Sequence, residues 1–497
     1  MRKLLNYLAA VLILFAVTFT IEAKDFKVVD FGAKPDGVTL NTQSIQAAID
    51  YVSEHGGGRL IFTPGIYVCG SVYLKNGVFL HFDDGATLLG SLNPWDYVKD
   101  KEAGWTSFIF GIKQDNIGIT GKGTIDCRGF EVANRLVDYI HKGLIADNLI
   151  LDRPKEDKRP ENLHFLKCKN VTIKDITLKN PASWNQQYDS CDKILIEGIK
   201  VDAKAYWNND GLDIVDSRNV IIRDCFIDSS DDAYCFKSHH SYGISENVLV
   251  ENCIGRSSAN GIKFGTYTLG TFRNFHFKNI KIYDTYRSAF TVASVDGASI
   301  ENIYVDGLQS LNTGNPIFIR LARRRVGVSP CLKNIVIKNM YAEVPFDKPD
   351  VGYTYEGPIE DLPRNVCPSM ILGLPDMKIQ NIRMENIIIV YPGKADPDYA
   401  YRGTSKEELA AIPELEKSYP EFSNWKELPA WGFYIRHAED VYMKNVNISV
   451  RAKDYRPAIV SDDVNGFVMK NVLIEQKSAR KEKKQIITVN TKKFSRK

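Results

Sequence analysis

The 497 residues read as an all-β chain, a right-handed parallel β-helix with a helical N-terminal cap and long loop insertions. Three features lead there. A short template recurs: Asn or Asp, apolar, any, apolar, any, Asp/Asn/Gly, apolar, any, apolar. Its early copies start at Asn170, Lys193, Asn219, Asn247 and Asn274, so they are 23, 26, 28 and 27 residues apart. Nor are they separated by the helical patterns of roughly 10–15 residues that alternate with the strands of an α/β sheet.

Within each copy the apolar residues alternate, the period of a strand with one buried face. The alternation breaks once, at the Asp/Asn/Gly, where the backbone turns a corner and a residue tolerant of left-handed φ is favoured. Two short strands cannot bury their apolar face alone, whereas stacked copies bury it continuously. A leucine-rich repeat has a similar period, but the apolar positions here are Ile, Val, Phe, Met and Cys. Later copies start at Asn334, Asn381 and Asp440, and Asn252, Asn279, Asn302, Asn339 and Asn386 are expected to form a structural ladder at the corners.

The ends differ from the repeats, as caps should. Asn41–Ser53 has helical spacing through Ile45, Ala48, Ile49 and Val52 and is expected to cover the N-terminal end. A second helical stretch is expected at Glu407–Lys417, and the basic tail from Lys477 is expected to be solvated. The insertions Asp347–Arg364 and Lys394–Pro429 are expected to wall off one end of a groove, because loops in a solenoid gather on one face. Residues 1–23, with Arg2 and Lys3 before an apolar run, read as a cleavable signal peptide. The expectation is therefore one β-helix catalytic domain over residues 24–497, secreted or periplasmic, monomeric and without a membrane anchor.

The net charge of +3 gives no basic excess of the kind a nucleic-acid binder carries. Nine scattered cysteines, an odd number with no CxxC, point to buried packing rather than to disulfides or a metal.

Chemistry concentrates on two consecutive coils. Asn208-Asn209-Asp210-Gly211-Leu212-Asp213 is followed by Ser229-Ser230-Asp231-Asp232, and the offset of 22 between Asp210 and Asp232 is close to one coil. Residues one coil apart stack at the strand spacing of about 4.8 Å. Crowded carboxylates repel, and one pKa is driven up. One group can then serve as an acid while a neighbour stays ionised, the pairing that glycoside hydrolysis needs.

These segments resemble the polygalacturonase family, glycoside hydrolase family 28. The opening Val29-Asp30-Phe31-Gly32-Ala33, then Thr63-Pro64-Gly65-Ile66-Tyr67 and Gly121-Lys122-Gly123-Thr124-Ile125-Asp126, are similar to that family's first coils. Asn208-Asn209-Asp210 resembles its Asn-Thr-Asp motif, and Asp231-Asp232 with Lys237-Ser238 resembles the next. The resemblance implies an inverting, metal-free hydrolase in which Asp231 is the general acid and Asp210 and Asp232 activate water. The family's Gly-His-Gly is replaced by Ala259-Asn260-Gly261, and its Arg-Ile-Lys is absent. Lys237, Asn260, Lys263, Arg320 and Arg323 are the candidates to bind substrate in their place, and Trp184 is the candidate to stack on a sugar ring. The expected partner is an acidic, galacturonic-acid-containing poly- or oligosaccharide cleaved from its ends, with no cofactor. Three other readings fit less of the pattern: an exo-glycosidase on a neutral sugar, a Ca²⁺-dependent polysaccharide lyase, and a non-catalytic adhesin.

Overall fold

The computed structural model describes residues 24–355, 364–401, 403–476 and 484–497. The leader expected at 1–23 lies outside the described residues.

The chain winds as a stack of coils whose strands run parallel from one coil to the next. Register follows the template. Val171 pairs with Ile194, Ile194 with Val220, Val220 with Val248 and Val248 with Phe275, the same four steps seen in the sequence. These residues point inward and are buried, while their neighbours in the strands face outward. Parallel stacking lets each coil hydrogen-bond to the next along its length.

Corners are held as anticipated. Asn252, Asn279, Asn302, Asn339 and Asn386 all have φ between 50° and 59°. They fall in two ladders rather than one. Asn247, Asn274, Asn302, Asn334 and Asn381 pass hydrogen bonds up one edge. Asn252 and Asn279, then Asn339, Asn386, Asn445 and Asn471, do so up the other. The amide both donates and accepts, so each rung satisfies the next. All nine cysteines are free, and eight are buried in the stack.

The cap helix is Thr42–Glu54, with Ile45, Ala48, Ile49 and Val52 buried. A second amphipathic helix, not among the expected elements, is Gly129–His141, which buries Val132, Ala133 and Leu136. One expectation is corrected. The helix foreseen at 407–417 is only Lys406–Ala410, opened by a Ser405–Glu408 capping box and followed closely by Pro413, which cannot continue a helix. The described residues of the tail are exposed or half-exposed, as expected, and Ile486–Val489 and Lys492–Arg496 also pair with the preceding coil and add a partial one. Residues 477–483 of that tail lie outside the described residues.

Candidate active site

Three strands of consecutive coils carry the site: β1 (Leu212–Val215), β2 (Tyr234–Ser238) and β3 (Ile262–Thr268). Leu212 pairs with Tyr234 and Tyr234 with Ile262, all facing the core. Two residues before each of these stand Asp210, Asp232 and Asn260, which the register therefore stacks. The Gly211 N–H donates to the Asp232 carbonyl at 2.8 Å, and the Ala233 N–H donates to the Asn260 carbonyl at 2.9 Å. This approach leaves no room for a side chain at Gly211, whose Cβ would lie 2.2 Å from Ile227 and 2.8 Å from the Ala233 carbonyl.

The carboxylates so gathered are not electrostatically equivalent. Asp232 accepts from Lys263 Nζ at 2.7 Å, from Asn260 Nδ2 at 2.7 Å and from the Asn260 N–H at 3.1 Å. Burial alone would raise its pKa, but the Lys263 charge and these hydrogen bonds prevail and hold it below the ordinary value. Asp231 is raised, first by burial and then by the adjacent Asp232 charge, against the pull of Lys263 and Arg287. Asp210 is raised well above its ordinary value by burial, opposed by Lys237. Lys237 Nζ donates to Asp210 at 2.7 Å and to Asp213 at 2.6 Å, and Asp213 is pushed by burial up to about 6. The cluster thus holds a carboxylate kept charged beside one inclined to keep its proton.

Asp210, Asp232 and Cys235 bring donor atoms within 4.8 Å of one another, close enough to share a cation. Two ammonium groups already meet those carboxylates. Burial also drives the Cys235 thiol well up, away from the thiolate that metals bind. The arrangement suits lysine better than metal.

The structure therefore unites Asp210, Asp231, Asp232, Lys237, Asn260 and Lys263. The last three are buried and bonded to carboxylates or to neighbouring strands, so they hold the acids rather than present donors to a sugar. The other substrate-binding candidates are corrected. Trp184 is 3% exposed, with Lys237 Nζ 3.4 Å from its ring centroid and Trp105 packed 4.8 Å away, so it steadies the ammonium and has no free face for a sugar. Arg320 is 1% exposed, donates to the carbonyls of Leu372, Gly373 and Glu414, and lies over Trp425. Arg323 forms surface ion pairs with Asp376 and Glu416.

Four participants were not foreseen: Asp213, Tyr419, Glu421 and Arg287, which pulls on Asp231. Asp213 was visible in the same segment as Asp210, and the strand register alone would have placed it beside Cys235. Tyr419 and Glu421 come from the Lys394–Pro429 insertion, which packs Leu409, Ile412, Phe422 and Trp425 against Phe318 and Met370. Tyr419 Oη accepts from Lys263 at 2.8 Å, and Glu421 pairs with Arg287 at 2.8 Å. No local pattern signals a contact across 156 residues.

Residues 83–319 match the signature of glycosyl hydrolases family 28. A Vitis vinifera protein named "Probable polygalacturonase" is 28% identical over 338 residues, which is 64% of this chain and 60% of that protein. The "Exo-poly-alpha-D-galacturonosidase" of Dickeya chrysanthemi is 26% identical over 296 residues, 50% of this chain and 49% of that one. The chain thus spans about half to three fifths of these two relatives. The crystal structure of a hyperthermoactive exopolygalacturonase from Thermotoga maritima superposes with a TM-score of 0.57 at 22% identity, covering 74% of this chain and 87% of that one, and shares its fold.

Proposed function

Because the chain belongs to glycosyl hydrolases family 28, we propose that it hydrolyses glycosidic bonds in a galacturonic-acid-containing pectic polysaccharide or oligosaccharide, from chain ends and with inversion. The observation that carries the chemistry is the contrast between neighbours: Asp231 is inclined to hold a proton while Asp232 is held ionised by Lys263 and Asn260. Asp231 gives its proton to the leaving glycosidic oxygen as the bond to the anomeric carbon breaks. A water attacks that carbon from the opposite face and yields its proton to Asp232, with Asp210 helping to place it. Asp232 then releases that proton to solvent and Asp231 takes one up, which restores the starting state.

Tyr419 and Glu421 stand against the cluster at the end of a long insertion, which supports a groove closed on one side and hence action on chain ends. The names of the two relatives support the acidic substrate. Export through residues 1–23, a single catalytic unit over residues 24–497 and action as a monomer belong to the same proposal. One observation favours a neutral sugar instead: Lys237, Lys263 and Arg287, the cations nearest the acids, are all spent on carboxylates of the protein.

Digesting polygalacturonate, its oligomers and neutral glycosides, with products resolved by size and anomeric form, decides among these. The expected product is monomeric galacturonate of inverted configuration. Unsaturated products abolished by a chelator would replace this reading with a lyase, and cleavage of neutral glycosides alone would move it to the neutral exo-glycosidase.

A further inference from the structure

If the cations at the acids are committed, recognition of a uronate must come from elsewhere. We propose that Arg153 is the carboxylate-binding residue of a sugar subsite beside Asn208, an inference that rests on the substrate reading above. A cavity of about 360 Å³ opens there, walled by Trp105, Arg153, Arg159, Asn208 and Tyr267. That is the lower end of the size of small-ligand sites, roughly 300–1,000 Å³.

The cavity adjoins the acids on two sides. Asn208 lies two residues before Asp210. Trp105 packs on Trp184, whose ring carries the Lys237 ammonium that is bonded to Asp210. A sugar in this cavity would lie on the Asp210 side of the carboxylate cluster.

Its charge suits an anion. Arg153, Lys155 and Arg159 line it against Glu156 and Asp157, and Asp157 is already met by Lys99. Arg159 is fully buried, and its guanidinium donates to the carbonyls of Pro154, Ala182 and Trp207 and to Asn208 Oδ1. Burial lowers its pKa to about 10, which leaves it charged at neutral pH, with carbonyl and amide dipoles as its hydrogen-bond partners. Arg153 is different. Its guanidinium lies 4.3 Å from the Trp207 ring centroid and has no ion pair among the described residues.

Arg153 is also rigidly presented. A tight turn joins Ile150 to Arg153 by reciprocal backbone hydrogen bonds of 2.9 and 3.1 Å. On its other side Trp207 packs against Tyr355 at 5.6 Å, so the first insertion buttresses the ring that carries the cation. A guanidinium seated over an indole and bound to no carboxylate of the protein has its N–H fork available for a carboxylate of the ligand. Trp105 and the 46%-exposed Tyr267 offer apolar faces for the sugar ring.

Titration calorimetry of the full chain with galacturonate and with its uncharged methyl ester tests this. Arg153→Gln should weaken galacturonate at least tenfold and leave the ester unchanged, and Arg153→Lys should restore part of the loss. An unchanged melting temperature would show that the fold survives. Equal loss for acid and ester, or no loss for either, would overturn the assignment. Cleavage of polygalacturonate by the same wild-type preparation is scored separately. If Arg153-dependent preference for the acid appears without any cleavage, the subsite stands and the hydrolase reading falls.

Discussion

Lys263 reaches from one coil to the carboxylate of Asp232 on the coil before it, 2.7 Å from Nζ to Oδ2, and both side chains are almost wholly buried. The pair sits at the point where consecutive strands bring Asp210, Asp232 and Asn260 into a column. Removing one partner of such a pair leaves the other charge buried and unanswered. The lysine thereby sets the protonation state of an acid that would otherwise drift upward with its neighbours.

That relationship fixes a pH profile. The competent form has Asp232 ionised and Asp231 protonated. Asp232 is lowered from 3.8, so activity is lost only as pH falls below that value. Asp231 is raised from 3.8, so activity is lost as pH rises through its higher pKa. The kcat/KM profile should be bell-shaped, with its two limbs on either side of 3.8. Lys263→Met removes the largest lowering influence on Asp232, and its acid limb should move to higher pH. An acid limb that stays in place would show that Lys263 does not control this carboxylate.

Arg287 acts on the other limb. It lowers Asp231 while it is paired with Glu421. The double variant Arg287→Met/Glu421→Gln removes both charges together and avoids an orphaned ion. Without the guanidinium, Asp231 should hold its proton to higher pH, and the alkaline limb should move upward. A downward shift in the pH profile would count against Asp231 as the proton donor.

The winding was legible because its determinants are local and periodic. Alternating Val and Ile fixed the strands, and an asparagine at each corner satisfied both φ and the hydrogen bond to the next coil. Asp210 and Asp232 could be paired for the same reason, since an offset of 22 is a property of the repeat. Tyr419 and Glu421 were not legible, because they reach the site through an insertion whose path is set by tertiary packing, such as Phe422 and Trp425 on Phe318. Arg320 misled for the complementary reason: a guanidinium in sequence does not reveal that three carbonyls and an indole already surround it.

The corner ladder makes its own forecast. Asn302 donates to Asn274 and accepts from Asn334, with φ at 59°. Asn302→Gly keeps the backbone freedom and loses the hydrogen bonds, each worth about 0.5–1.5 kcal/mol. Asn302→Ala loses both, adding about 1–2 kcal/mol for an alanine in the left-handed region. Chemical denaturation should rank wild type above Gly and Gly above Ala. If alanine proved as stable as glycine, the backbone part of this account would fail.

The division of labour between adjacent aspartates can be separated by the leaving group. Asp231→Asn removes the proton donor, and general acid catalysis contributes roughly 10²–10⁴-fold. The loss should be of that order on a natural glycosidic linkage, whose departing oxygen needs a proton. It should shrink to a few-fold on an aryl glycoside whose phenolate departs unprotonated. Asp232→Asn removes the charge that accepts the water's proton, and water is required whichever group departs. Its loss should therefore be similar on both substrates. Measured kcat values for the two variants on the two substrates check this directly. Equal losses for Asp231→Asn on both would exchange the assigned roles or remove proton donation from Asp231 altogether.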